Sequence, residues 1–435
     1  MKFNQLSDWM EAKVMPIANK LSRQRHLRAI RDTFISLISV TLVGGLAAVL
    51  SAAPVTENTT NGFLLAWAGF AEANSLLLTW VNTVTLGAMS LYACIGITHF
   101  LSKHYKLDTL MPVLLSAAGF VMLVLDPIEL GWAGKSVEIS YFDGKGLLAA
   151  IAVSIFTTEA YAYMRRHNWG RIKLPDSVPA ALNETFASLV PSTIIILVFS
   201  AVFAACKAAG TTLPGLIYQV VSPTFKAADS LGFTIVITLL LHVFWFFGIH
   251  DAAFAGILGP IRDGNLSVNA AAQLAGEALP FTFTTSFWVY FVIIGGCGSV
   301  LALAILLCLS KSKQLKTVGR IGILPAFFGI SEPIIFGVPL MLNPVFLIPF
   351  LLASTLNGAI SFILISSGLI GKTFAMLSWN MPSVFGAFLS TMDIKAAVLI
   401  VALIALDLVV YLPFFKMYEK SLVKMETESE NENNG

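Results

Sequence analysis

The chain has 435 residues, of which 57% are hydrophobic and 12% charged, with a formal net charge of +2 and a mean hydropathy of +0.80. Soluble domains carry about 25% charged residues, so a soluble fold of this size lacks the polar surface to cover its apolar side chains. The small net charge also excludes a basic surface for nucleic acid. The composition therefore predicts an all-α polytopic protein in a lipid bilayer.

The first predicted element is an amphipathic helix in the segment 1–31. Its apolar residues recur every three or four positions from Phe3 to Leu21, and seven Lys and Arg residues accompany them. This pattern is typical of a helix on the cytoplasmic surface of a membrane; a solvated leader is the alternative.

Apolar runs follow that are of the length needed to cross a bilayer, which is about 20 residues for a core about 30 Å thick. Two shorter, interrupted stretches lie near 321–341 and 373–391. The longer runs cover residues 32–53, 75–99, 108–125, 146–164, 185–208, 231–249, 287–310, 343–369 and 395–415.

Basic residues orient these runs, because cytoplasmic loops carry an excess of Lys and Arg. Most of the 27 basic residues fall in five clusters, at 1–31, 100–107, 164–174, 311–320 and 416–424. This distribution predicts that both termini are cytoplasmic. It also requires one further crossing, or a broken one, within residues 250–286.

The second part of the chain contains Gly, Pro and acidic residues that no lipid-facing helix would carry. Irregular backbone at membrane depth persists only where protein or water covers it, and interrupted hydrophobic segments indicate a transport site. We therefore divide the chain into the segments 1–31, 32–225, 226–418 and 419–435, of which the last is acidic, polar and predicted to be disordered.

Ionisable groups at membrane depth are costly, so each one is a functional candidate. The motif WFFGIHD contributes Trp245, His250 and Asp251. His250 is suited to donate to a ligand hydroxyl or to orient a carboxylate, and Asp251 to line the site or to pair with His250. Trp245 is suited to stack on a sugar ring. The alternatives are a core histidine and a core or interfacial tryptophan.

The motif GISEPIIFGVP contributes Ser331 and Glu332. Gly329 before the carboxylate and Pro333 after it break a helix and open the backbone. We expect a poorly solvated Glu332 to have a raised pKa and to act as a base. The alternative is a structural carboxylate satisfied by backbone amides.

Three further polar side chains are candidates for substrate binding. Trp379 is suited to stack on a sugar, and Asn380 offers both a donor and an acceptor. Glu277, in a stretch of small residues, is suited to bind hydroxyls. No Walker loop, HExxH motif or cofactor fingerprint occurs, so no metal or cofactor is expected, and the energy for transport must come from an ion gradient or another protein.

Together, WFFGIHD and GISEPIIFGVP resemble the membrane component IIC of the bacterial phosphoenolpyruvate-dependent sugar phosphotransferase system, in its lactose/cellobiose/diacetylchitobiose family. The resemblance implies about ten transmembrane helices, two re-entrant hairpins and a homodimer in the bacterial inner membrane. Residues 32–225 would form the dimer interface and residues 226–418 would bind the sugar.

The resemblance also implies a role for the site residues. Glu332 would accept the proton of the sugar 6-hydroxyl or hold that hydroxyl, and His250 would help to place it. A separate IIB protein, loaded by IIA, would supply the phosphoryl group from a phosphocysteine. The expected substrate is a β-linked disaccharide, N,N′-diacetylchitobiose or cellobiose.

Two other functions remain compatible with the residues alone. An ion-coupled secondary sugar transporter would use Glu332 and His250 as a proton relay. A membrane-bound sensor would bind the ligand without moving it.

Overall fold

The computed structural model describes residues 24–55, 59–129, 135–139, 141–170 and 180–434, so most of the amphipathic segment 1–31 lies outside it. The prediction of a helical polytopic membrane protein is confirmed. Within the described ranges, six stretches of helix are long and apolar enough to cross a membrane: Arg25–Ser51, Ser75–His104, Gly144–Arg166, Phe186–Ala208, Pro344–Ser366 and Ile394–Glu428.

The first part of the chain is a bundle of helices in which the fourth packs on the first and on the sixth. Its helices are α1 (Arg25–Ser51), α2 (Gly62–Ala73), α3 (Ser75–Val84), α4 (Met89–His104), α5 (Leu110–Val124), α6 (Leu147–Arg166), α7 (Ala180–Ala208) and α8 (Leu213–Ala228). A short antiparallel hairpin of β1 (Asp126–Glu129) and β2 (Lys135–Glu138) follows α5, with Asp126 opposite Glu138.

The second part alternates helices with irregular segments. Its helices of six or more residues are α9 (Leu231–Phe246), α10 (Ala255–Leu274), α11 (Val300–Cys308), α12 (Lys313–Phe327), α13 (Glu332–Gly337), α14 (Pro344–Ser366), α15 (Ser383–Thr391) and α16 (Ile394–Asn434). Capping residues define several of their starts. Ser230 accepts the Phe233 N–H at α9, Ser312 accepts the Leu315 N–H at α12, and Asn343 precedes the proline that opens α14.

The irregular segments are held by buried polar side chains, because their backbone groups have no helical partners. Asn269 of α10 donates to the carbonyls of Phe281 and Thr373 at 2.7 and 2.8 Å. Tyr290 donates to the carbonyl of Ser378 at 2.7 Å. These bonds fix the segment that leads to Trp379.

One large apolar core lies in the second part and includes Trp288, Phe291, Phe350 and Tyr411. Smaller cores lie in the first part. Helix α1 joins the two, since it packs on α4 and on α10. The site described below lies against the core of the second part, which contributes Val289, Ile293 and Cys297 to it.

The last helix continues through residues 419–434, where the sequence predicts disorder. Two of its carboxylates explain this, because they accept hydrogen bonds from the start of α12. Glu419 accepts from Ser310 Oγ and from the Lys311 N–H, both at 2.7 Å, and Glu426 accepts from Ser312 Oγ at 2.7 Å. Residues more than 100 positions apart thus hold this end of the chain.

Candidate functional site

The first side of the candidate site is the turn that follows α9. The helix ends at Phe246, and His250 and Asp251 lead into a single 3₁₀ turn before α10 begins. Trp245 lies in the last turn of α9, where it is only 3% exposed, and its ring centre is 5.0 Å from that of His250. Trp245 therefore packs behind His250 and supports the position of the imidazole.

The second side is the segment between α12 and α13, which carries Ser331 and Glu332. Gly329 has a φ of +79°, and a Cβ there would lie 3.2 Å from the carbonyl oxygen of Trp379. Glycine therefore allows both the left-handed turn and the close approach of the two segments. Glu332 is the first residue of the short helix α13, and Pro333 follows it.

The carboxylates of Asp251 and Glu332 lie on either side of the His250 ring. Nδ1 of His250 is 2.9 Å from Asp251 Oδ1, and Nε2 is 3.8 Å from Glu332 Oε1. Asp251 is largely buried, whereas about half of the His250 side chain and 44% of Glu332 are exposed. Asp251 thus orients the imidazole from behind, and Glu332 faces the open side.

The contacts between these three side chains set the protonation states of His250 and Glu332, which lie outside the six candidate spans. The hydrogen bond with Asp251 and the contact with Glu332 raise the pKa of His250 to about 10. His250 in turn lowers the pKa of Glu332, and this outweighs the effect of partial burial. The expectation that Glu332 has a raised pKa is therefore wrong, because the sequence does not show that an imidazolium lies beside it.

A cavity of about 160 Å³ brings most of the predicted residues together. It is lined by His250, Asp251, Ser331, Glu332, Trp379 and Asn380, among others. Four segments of the chain contribute to it, which is how a transport site is built from broken helices. The cavity thus contains the aromatic ring of Trp379, the amide of Asn380 and the charged triad Asp251–His250–Glu332. These groups suit a ligand that has both an apolar face and hydroxyl groups.

Sequence reasoning missed one wall of this cavity, formed by Gly296 and Cys297. Gly296 has a φ of +99°, and a Cβ there would lie 2.6 Å from Ser331 Cβ. The run GGCGS at 295–299, inside an apolar stretch, was the signal that this helix also breaks.

Glu277 lies elsewhere. It lines a separate, larger cavity of about 810 Å³, together with Asn82, Asp143 and Lys145 from the first part of the chain. Within the described ranges, no group of three or more His, Cys, Asp and Glu side chains is placed to hold a metal ion.

Residues 31–354 match the family described as "Phosphotransferase system, EIIC". The chain belongs to this family. The lichenan permease IIC component of Bacillus subtilis (strain 168) is 32% identical over 449 residues, which cover 98% of this chain and 96% of that protein. The lactose-specific EIICB component of Streptococcus mutans serotype c is 32% identical over 434 residues, 96% of this chain and 73% of that protein.

A solved structure is also similar. The transporter ChbC, the IIC component from the N,N′-diacetylchitobiose-specific phosphotransferase system, aligns with a TM-score of 0.86 at 28% identity, over 96% of this chain and 99% of that chain. The resemblance inferred from the two motifs is thereby confirmed. This chain is a multi-pass IIC sugar permease of the lactose/cellobiose family, and IIC components work with the IIB and IIA proteins of the bacterial phosphotransferase system.

Proposed function

We propose that this permease binds and translocates a β-linked disaccharide, N,N′-diacetylchitobiose or cellobiose, and holds its 6-hydroxyl for phosphorylation by a separate IIB protein. The proposal rests on one observation: the side chains of Asp251 and Glu332 lie on either side of His250 in the wall of a cavity that Trp379 also lines. A relative named for lichenan and a solved transporter named for diacetylchitobiose support this class of substrate.

The proposed chemistry follows from the charges. The lowered pKa keeps Glu332 ionised near neutral pH, so that its carboxylate accepts a hydrogen bond from the 6-hydroxyl. As O6 attacks the phosphorus, Glu332 takes the hydroxyl proton, the P–S bond of the IIB phosphocysteine breaks, and the cysteine thiolate leaves. His250, held by Asp251, positions the hydroxyl. Ser331 and Asn380 bind other hydroxyls, and Trp379 stacks on the ring.

We also propose the finer architecture that the sequence predicts. Ten spans, two re-entrant hairpins and cytoplasmic termini are supported by the six long spans, by three shorter apolar helices and by the clusters of basic residues. Residues 32–225 would pair two copies of the chain, and residues 226–418 would carry the sugar across the membrane.

Uptake by membrane vesicles tests the proposal. Vesicles that contain the permease, IIA, IIB and the upstream phosphoryl carriers are given labelled diacetylchitobiose or cellobiose, with or without phosphoenolpyruvate. We expect the 6-phosphate to accumulate inside only with phosphoenolpyruvate. Uptake of unmodified sugar that continues without it, and that a protonophore abolishes, would instead indicate an ion-coupled transporter.

A further inference from the structure

The backbone of residues 295–299, the 295–299 bend, has an unusual conformation just before α11. Four of its five residues have a positive φ: Gly295, Gly296, Gly298 and Ser299. The φ of Ser299 is +55°, which is uncommon for a residue with a side chain and costs free energy. Such a conformation persists only where the surrounding structure holds it, so the contacts of the bend decide its shape.

The 295–299 bend supports the reacting end of the small cavity. Gly296 and Cys297 line this cavity together with Ser331 and Glu332. Gly296 packs so closely on the next segment that a Cβ there would lie 2.9 Å from the backbone nitrogen of Ser331. Because close-packed interiors transmit small shifts, a movement of the bend would displace Ser331, and with it the carboxylate of Glu332 relative to His250.

Three buried side chains from two other helices hold the bend: Asn357 of α14, and Asp407 and Tyr411 of α16. Asn357 Nδ2 donates to Ser299 Oγ at 2.8 Å and to Asp407 Oδ2 at 2.9 Å. The hydroxyl of Tyr411 donates to the carbonyl of Gly298. All three side chains are at most 1% exposed, and none of them lines the small cavity. They therefore reach the cavity wall only through the bend.

The cost of burying these groups indicates a role beyond filling space. Both helices belong to candidate spans, Pro344–Ser366 and Ile394–Glu428, and an amide or a carboxylate at membrane depth is costly. In the part of the chain that the structure describes, Asp407 Oδ1 and Asn357 Oδ1 find no hydrogen-bond partner. The cluster thus leaves two of its own atoms unsatisfied, while its remaining bonds lead to the bend.

We propose that Asn357, Asp407 and Tyr411 are positioning residues for phosphoryl transfer. They fix the 295–299 bend, and the bend holds Glu332 at the correct distance from His250 and from the sugar hydroxyl. This inference rests on the proposed function. It predicts that changes on α14 and α16, outside the cavity, slow the transfer without a comparable loss of sugar binding.

Kinetics of the full-length permease test this inference. Initial rates of phosphorylation of diacetylchitobiose and cellobiose by phosphorylated IIB are measured for Asn357→Leu and Asp407→Leu. Each kcat is expressed per sugar-binding site, counted by titration with the same sugar, so that protein that does not fold has no effect on it. We expect kcat to fall roughly 10- to 100-fold, the effect of a small misplacement of reacting groups. The Kd for the sugar should stay within about threefold, because Tyr290 holds the segment of Trp379 separately.

Conservative variants distinguish positioning from packing. Asp407→Asn keeps an oxygen that accepts from Asn357, so its kcat should stay within about threefold of the wild type. Tyr411→Phe removes only the hydroxyl that binds the Gly298 carbonyl, and its kcat should fall roughly two- to tenfold, since one hydrogen bond to the bend is lost. Tyr418→Phe, in the same helix, is the matched control and should react like the wild type.

Two results would overturn the inference. One is a wild-type kcat per binding site in both leucine variants, and the other is an equal loss in Asp407→Asn and Asp407→Leu. If neither leucine variant yields protein that binds sugar, the comparison of Tyr411→Phe with Tyr418→Phe decides: a lower kcat in Tyr411→Phe supports the inference, and equal values overturn it. A wild type that phosphorylates neither disaccharide with IIB would instead contradict the proposed function.

Discussion

Two cavities of the molecule that hold acidic side chains differ in size and in the arrangement of their charges. The cavity of about 810 Å³ contains Asp143 and Lys145, which are bonded to each other across one turn, while Glu277 stands apart. The cavity of about 160 Å³ contains two carboxylates that face one imidazole. Volume alone shows where a ligand fits; the convergence of ionisable groups shows where chemistry occurs.

The largest expected effect comes from removing the exposed carboxylate of the small cavity. Glu332→Gln keeps the shape and a hydrogen-bond acceptor but removes the base, so phosphoryl transfer from phosphorylated IIB should fall by roughly 10²- to 10⁴-fold. Sugar binding to the purified protein should remain detectable. Glu72→Gln, at an exposed position of α2, is the control. Wild-type turnover in Glu332→Gln would show that the small cavity is not the reaction centre.

The orienting carboxylate should have the next largest effect, and it should depend on pH. The raised pKa keeps His250 protonated in the wild type until the pH rises through about 10. Without the charge of Asp251, the imidazolium loses its proton at a lower pH. Phosphorylation by Asp251→Asn should therefore fall roughly tenfold between about pH 6 and pH 9, while the wild type stays nearly constant.

Initial rates across that range measure this difference, with Asp108→Asn, at an exposed position before α5, as the control. A profile of Asp251→Asn that runs parallel to the wild type at every pH would mean that Asp251 does not set the charge of His250. Its role would then be limited to packing.

The sequence alone predicted much of this comparison but not the contacts that explain it. WFFGIHD and GISEPIIFGVP identified His250 and Glu332, because Gly and Pro beside charged residues are so unfavourable in lipid. Nothing in the order of residues shows that Trp379 completes the cavity, or that Gly296 and Cys297 form one of its walls. These facts, like the helical end of α16, depend on contacts between residues far apart in the chain.

The backbone that supports the small cavity gives an intermediate effect. In Gly296→Ala, the positive φ becomes strained and the new Cβ overlaps Ser331, so we expect a loss of about 1–3 kcal/mol in the free energy of unfolding. Thermal unfolding in detergent measures it. Gly358→Ala in α14 is the matched control, since its Cβ would have neighbours no nearer than 3.4 Å. Equal unfolding temperatures for the two variants would show that the 295–299 bend is not strained by a side chain.

The smallest effect is expected from a substitution in the large cavity. Glu277 is exposed and lines a different cavity from His250 and Glu332, so we expect it to contact the sugar before the sugar reaches the small cavity. Glu277→Gln should then raise the KM of uptake roughly two- to threefold, which corresponds to the loss of a weak, solvated hydrogen bond. The kcat should not change, because the substitution weakens binding of the ground state and the transition state equally. Rates of uptake at limiting and saturating sugar separate the two constants. A fall in kcat would place Glu277 in the chemical step and would remove the distinction between the two cavities.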